Sequence, residues 1–242
     1  MKVSVFKTCL VESLFPEVAD ALVTLLQRLS LDVDVPEMHT CCGQMHINSG
    51  YEEMAFPLIR NQVATFANSD FVVAPSASCV SSIRHQYENI VTRIGDRVLV
   101  DAVQSLAQRT FEVSEFLVDV LGVTDVGSYY PHRVTYHPTC HSLRSLRVKD
   151  RPIRLLEEVE ALELVVLPDA EVCCGFGGTF SLKNADVSGA MLDDKISCIK
   201  RSGANNVAAL DSSCLMQIGG GLSRQELDVR PIHIVQILAS TR

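Results

Sequence analysis

The sequence predicts an α/β fold of two pseudo-symmetric, Rossmann-like halves, each a parallel sheet flanked by helices, with cysteines at the carboxyl ends of strands. Short apolar runs of strand length alternate with longer segments whose apolar residues recur at helical spacing, the signature of βαβ units. The alternation runs through the first 121 residues and starts again near residue 132. Eight of the nine cysteines mark the repeat: Cys9, Cys41, Cys42 and Cys79 in the first half, Cys140, Cys173, Cys174 and Cys214 in the second. The spacings agree: Cys41 lies 32 residues after Cys9 and Cys173 lies 33 after Cys140, while Cys79 lies 37 after Cys42 and Cys214 lies 40 after Cys174.

Taken in order, Val3 to Phe6 reads as a strand that delivers Cys9. From Pro16 to Leu29 the apolar residues Val18, Ala21, Leu22, Leu25, Leu26 and Leu29 fall on one helical face. Leu31 to Val35 is the next strand and leads past Pro36 to Cys41-Cys42-Gly43. A helix from Tyr51 to Phe66 follows, in which Pro57 marks a kink or a late start. Phe71 to Ala74 is a buried strand with a turn to Cys79, then come helices at 80–90 and 113–121, the latter with Ser114 as the expected N-cap. Gly122 to Pro131 is the candidate linker, so the expected domains are residues 1–122 and 123–242. In the second half the strand Val134 to Tyr136 precedes Cys140, a helix occupies 153–159, and the strand Leu164 to Leu167 precedes Cys173. A long helix at 185–201 and the strand Val207 to Leu210 bring the chain to Asp211-Ser212-Ser213-Cys214, and 232–239 closes the half. Because every motif cysteine follows a strand, each set of four is expected to converge at one edge of its sheet, where open parallel sheets bind ligands.

Composition narrows the function classes. At 47% hydrophobic and 21% charged residues the chain is that of an ordinary globular protein. A formal net charge of −8 without a basic run argues against nucleic-acid binding. No apolar run is long enough to span a membrane, and the first residues show neither a signal core nor a cleavage site. A cytoplasmic location is therefore expected, where thiols stay reduced and cysteines read as ligands or redox groups before disulfides.

Three chemistries compete for four converging thiols. A disulfide between adjacent cysteines is strained, since neighbouring Cα atoms lie about 3.8 Å apart and unstrained disulfides prefer roughly 4.4–6.8 Å. Structural zinc accepts four thiolates, but its usual close C-x2–4-C pair is missing here. An iron–sulfur cluster is bulkier and suits thiolates drawn from separate loops. Gly43 and the run Gly175-Phe176-Gly177-Gly178 fit that reading by letting backbone N–H groups approach sulfur, the longer run offering more of them; they fit tight turns equally well. The run lacks the Lys and Ser/Thr of a phosphate-binding loop.

The arrangement C-x31-CCG-x35-C, repeated as C-x32-CCG-x38-C, resembles the cysteine-rich CCG-domain iron–sulfur proteins. That family includes the cysteine-rich component of heterodisulfide reductase and the iron–sulfur component of glycolate oxidase. Cys42-Gly43-Gln44 through Asn48-Ser49-Gly50-Tyr51, the run Cys173 to Phe180 and Ser213-Cys214-Leu215-Met216 are most similar to its lactate-utilisation protein A group, almost end to end. The resemblance implies one or two [4Fe–4S] clusters on the eight cysteines, with zinc as the alternative. It also implies a cytosolic electron-transfer subunit, rather than a self-sufficient enzyme, in the oxidation of L-lactate to pyruvate. Two lactate-utilisation partner proteins are implied, one of them a ferredoxin-type iron–sulfur protein. In the heterodisulfide reductase relatives the last cysteine of each half opens a C-x-x-C pair, whereas Ser82 and Gln217 stand in the second places here. The ferredoxin run C-x2-C-x2-C-x3-C-P is also missing, so electrons would arrive through a partner. A thiol–disulfide reductase subunit and a zinc-stabilised partner-binding scaffold are the competing functions.

The other reactive residues read as structure. Cys198 lies mid-helix outside both patterns and is expected in the core, far from either thiol group. His137 and His141 flank Cys140 and His46 follows the first pair; a histidine can replace cysteine at an iron, but hydrogen bonding near the thiols or plain loop structure is the expectation for them. Ser76, Ser78, Ser212 and Ser213 have no paired base, so serine hydrolysis is not supported.

Overall fold

The computed structural model describes residues 1–242, which divide into two compact units, Met1–Phe116 and Leu117–Arg242. Unit one contains β1 (Lys2–Val5), α1 (Cys9–Leu14), α2 (Pro16–Arg28), β2 (Asp32–Asp34), α3 (Gln44–Asn48), α4 (Glu52–Thr65), β3 (Phe71–Ala74), α5 (Ala77–His85), α6 (Tyr87–Ile94), α7 (Arg97–Gln108), β4 (Thr110–Glu112) and α8 (Val113–Glu115). Unit two contains β5 (Arg133–Tyr136), a π-helical turn at His141–Leu146, α9 (Arg151–Glu157), β6 (Glu163–Val165), α10 (Phe180–Lys183), α11 (Ala185–Ser202), β7 (Asn206–Ala209), α12 (Ser212–Arg224), β8 (Arg230–His233) and α13 (Ile234–Ala239). Both sheets are parallel throughout, in the orders β2-β1-β3-β4 and β6-β5-β7-β8. The α/β fold of two similar halves is as the sequence predicts.

The apolar runs become central strands because both faces are covered. Val3, Val5, Val72 and Val73 are fully buried in the first sheet, as are Val134, Val207, Ala208 and Ala209 in the second. Helix α2 starts on Pro16 and buries Val18, Ala19, Leu22, Leu25 and Leu26, the stripe its spacing predicts. Pro57 lies inside α4, which begins at Glu52. At the turn after β4 the N-cap is Glu112, not Ser114: the Glu112 side chain accepts from Ser114 N–H at 2.8 Å and Glu115 reaches back to the Glu112 N–H at 3.3 Å. A buried carboxylate with two local donors available there outcompetes the shorter serine.

Two registers place the halves in correspondence. Beyond β1, the Phe6 N–H donates to the Val73 carbonyl at 2.9 Å, and beyond β5, the His137 N–H donates to the Ala208 carbonyl at 2.8 Å. Phe6 and His137 are therefore equivalent positions, each three residues before the first cysteine of its half. In both sheets the connections depart in opposite directions from the two middle strands, so a crevice opens beyond the carboxyl ends of β1 and β3, and of β5 and β7.

Candidate functional site

Each crevice collects its four thiols from three loops. Cys9 opens α1 after β1, Cys41 and Cys42 end the loop after β2, and Cys79 lies in the first turn of α5 after β3. Cys140 follows β5, Cys173 and Cys174 end the loop after β6, and Cys214 lies in the first turn of α12 after β7. The thiols are linked as strings by hydrogen bonds, Cys9 to Cys41 to Cys42 to Cys79 and Cys140 to Cys173 to Cys174 to Cys214. Cys42, Cys79, Cys174 and Cys214 form the buried back of the two sites. Cys9 is exposed, and Cys41, Cys140 and Cys173 are half-buried, so each string has a rim open to solvent.

Within each string hydrogen bonding favours the thiolate at one sulfur, Cys41 or Cys173, and the thiol at its neighbours. Hydrogen bonds from Cys42 and Cys9, with help from the Gly43 N–H, bring Cys41 down to about 2. Those from Cys140 and Cys174, with the Gly175 N–H, bring Cys173 down to about 2. Cys9, Cys42, Cys140 and Cys174 are pushed up, first by hydrogen bonding to these thiolates and then by burial. A soft cation would displace those shared protons and restore all four thiolates. Cys79 and Cys214 lie in the first turns of α5 and α12, where the helix dipole favours negative charge.

Glycine permits the vicinal pairs. Gly43 and Gly175 hold φ of +79° and +83°, and their N–H groups reach the Cys41 and Cys173 sulfurs at 3.4 Å in both halves. Around Gly175 the approach is closest: a Cβ there would lie 2.5 Å from the Ser188 carbonyl of α11. One further N–H acts in each half, from Leu10 on Cys9 and from Phe176 on Cys174. The longer glycine run thus adds a donor on the vicinal pair itself, while Gly177 and Gly178, at positive φ, turn the chain into α10.

The halves differ in what surrounds the thiols. Gln62 of α4 and Lys195 of α11 are equivalent by position, since each lies seven residues beyond the residue packed on its CCG glycine, Ala55 or Ser188. Both are fully buried, and both reach carbonyls just before the vicinal pair: Gln62 to Thr40 at 2.5 Å and Lys195 to Ala170 at 2.9 Å. The first half carries a neutral amide there and the second an ammonium, whose ordinary pKa is lowered by burial and supported by the Cys198, Cys174, Cys173 and Cys140 sulfurs. In the first half Tyr87, fully buried, donates to the Cys42 carbonyl at 2.6 Å. Lys195 went unnoticed in the sequence although the signal was there, a lysine on the stripe formed by Leu192, Ile196 and Ile199.

Cys198 is buried, as a core residue should be, but not remote: it packs in the apolar cluster that contains Cys174 and Cys214. Its sulfur accepts from Arg201 Nη2 at 3.3 Å. The separation expected from the sequence is reduced because α11 lies directly over the second crevice. Ser82 and Gln217, at the places of a fifth cysteine, are engaged elsewhere, Ser82 on Gln86 at 2.7 Å and Gln217 on the Ser188 hydroxyl at 3.1 Å. No helix is long and apolar enough to cross a membrane.

A duplicated parallel α/β unit with four converging thiols at each strand crevice defines a cysteine-rich protein suited to binding metal or an iron–sulfur group. The family model of the CCG cysteine-rich domain matches twice, at residues 3–84 and 134–219. Lactate utilization protein A of Geobacillus kaustophilus (strain HTA426) is 46% identical over 238 residues, 98% of this chain and 98% of the relative. Its namesake in Macrococcus caseolyticus (strain JCSC5402) is 46% identical over 98% of this chain and 96% of the relative, and that of Bacillus subtilis (strain 168) 42% identical over 99% and 100%. The chain belongs to the CCG cysteine-rich domain family, in its lactate utilization protein A group.

Proposed function

We propose that this protein is an iron–sulfur electron-transfer component of L-lactate oxidation to pyruvate, in which domains 1–122 and 123–242 each hold one [4Fe–4S] cluster. A role in lactate utilisation rests on the full-length similarity to relatives of that name. The observation that carries the cofactor reading is the duplicated string of four thiols, each with a buried back and an open rim. Cys9, Cys41, Cys42 and Cys79 would hold one group, and Cys140, Cys173, Cys174 and Cys214 the other. The donor set fits: soft thiolates from three loops suit a body wider than a single ion, and hydrogen bonding favours the thiolate form of Cys41 and Cys173. A bound cluster supplies reversible one-electron storage. The chain's own part is to hold the charge of four thiolates in a partly dry crevice, using the Gly43 and Gly175 N–H groups, the helix N-termini and, in the second half, Lys195. The half-exposed rim leaves each site accessible to the two partner proteins this reading requires, one a ferredoxin-type donor or acceptor.

The test is the visible spectrum of anaerobically purified protein. Its brown absorbance is expected to bleach on addition of L-lactate when a desalted extract of lactate-grown cells supplies the partners, and to persist without lactate. A colourless protein, or bleaching that ignores lactate, refutes the reading; reduction of a small disulfide instead would move the assignment to a thiol–disulfide reductase.

A further inference from the structure

His137 is fully buried, and neither ring nitrogen has a hydrogen-bond partner. Leaving both nitrogens of an imidazole dry and unpaired costs their full desolvation in ordinary cores, so such a group calls for an explanation. Its surroundings supply one: a ring nitrogen of His137 and the sulfurs of Cys174 and Cys214 all lie within 4.8 Å of one another. The backbone is fixed beyond the end of β5 by the His137 N–H bond to the Ala208 carbonyl of β7 at 2.8 Å. The first half has no counterpart, because Phe6 fills the equivalent position and packs edge-on against His39 and Phe66.

We propose that His137 is a direct ligand of the metal centre of the second half, so that the two centres differ in kind: thiolates alone in the first, thiolates with one imidazole in the second. The inference rests on the metal-binding reading of the thiols and goes beyond it. Cys174 and Cys214 form the buried back of the site, and His137 completes that back as a third donor; with one protein donor per iron, a [4Fe–4S] cluster there takes its fourth from the rim, Cys140 or Cys173, so the imidazole stands in place of one thiolate. An imidazole adds no negative charge, and nitrogen ligation raises the potential of an iron–sulfur centre. The second centre is therefore the more easily reduced of the two, a difference Lys195 reinforces.

The experiment uses the full chain labelled with 15N only in histidine, reconstituted anaerobically with iron and sulfide, reduced, and examined by pulsed EPR. A strong 15N coupling, lost in His137→Phe, is expected; reduced protein that carries clusters without such a coupling, or a coupling that survives His137→Phe, overturns the assignment. If His137→Phe fails to fold, the chain lacking both His46 and His141 decides: a retained coupling upholds His137 and a lost one overturns it. A chain that assembles no cluster refutes the cluster reading separately. His137 is then judged with Co(II) alone, where a paramagnetically shifted imidazole N–H resonance upholds the ligand and its absence overturns it.

Discussion

Replacing Cys174 by alanine is expected to remove roughly half or more of the iron from the anaerobically reconstituted chain, and more than replacing Cys42 removes. Both residues sit at the buried centre of a thiol string, so each substitution takes out a ligand that no neighbouring thiol replaces. The halves differ in what offsets the thiolate charge. The second has Lys195 where the first has Gln62, His137 where the first has Phe6, and the Phe176 N–H directed at Cys174 itself. These groups make the second centre the tighter one, so its loss costs more iron and more lactate-dependent growth. Cys198→Ala, which changes a buried thiol outside the string, should leave the iron in place. Equal loss from Cys42→Ala and Cys174→Ala would mean that these surroundings do not discriminate, and greater loss from Cys42→Ala would reverse the order.

Gly175→Ala is expected to destabilise the second half by roughly 3–5 kcal/mol, whereas Gly50→Ala costs about 1 kcal/mol. The two glycines have nearly the same positive φ, +83° and +82°, so the backbone strain of a side chain is alike. Gly50 has open space around it, while a Cβ on Gly175 would sit 2.5 Å from the backbone carbonyl of Ser188, and a helix carbonyl cannot swing aside. Relief requires α11 to move off the Cys173–Cys174 loop, which also breaks the Ser188 hydroxyl bond to the Gly175 carbonyl at 2.8 Å. Hydrogen exchange on peptides from 173–224 in the metal-free protein reads this directly, with protection falling there and not in residues 3–84. Equal, small effects at both glycines would show that the close approach carries no energy.

The fold was legible because burial on both faces writes parallel strands as plain apolar runs, and because a duplicated chain states its pattern twice. Val3 to Phe6 and Val134 to Tyr136 could be read from their composition and from the cysteine each delivers. Strands β4 and β8 were not legible: Thr110–Glu112 and Arg230–His233 are short edge strands of mixed polarity, set by pairing with β3 and β7 rather than by their own residues. Helix α7 was overlooked although Leu99, Val103 and Leu106 give it a buried stripe and Asp96 caps it at 3.1 Å. The convergence of each cysteine quartet followed from strand order and spacing. The asymmetry between the sites did not, because it rests on pairs of positions, Phe6 with His137 and Gln62 with Lys195, that can be matched only once register and helix packing are known.

The most direct measurement of the central claim is iron, acid-labile sulfide and zinc per chain in protein purified without air. Iron and sulfide are expected in equal amounts, with zinc well below one per chain and a broad brown absorbance that disappears when all eight crevice cysteines are replaced. Stoichiometric zinc with no sulfide in a colourless, folded protein would contradict it.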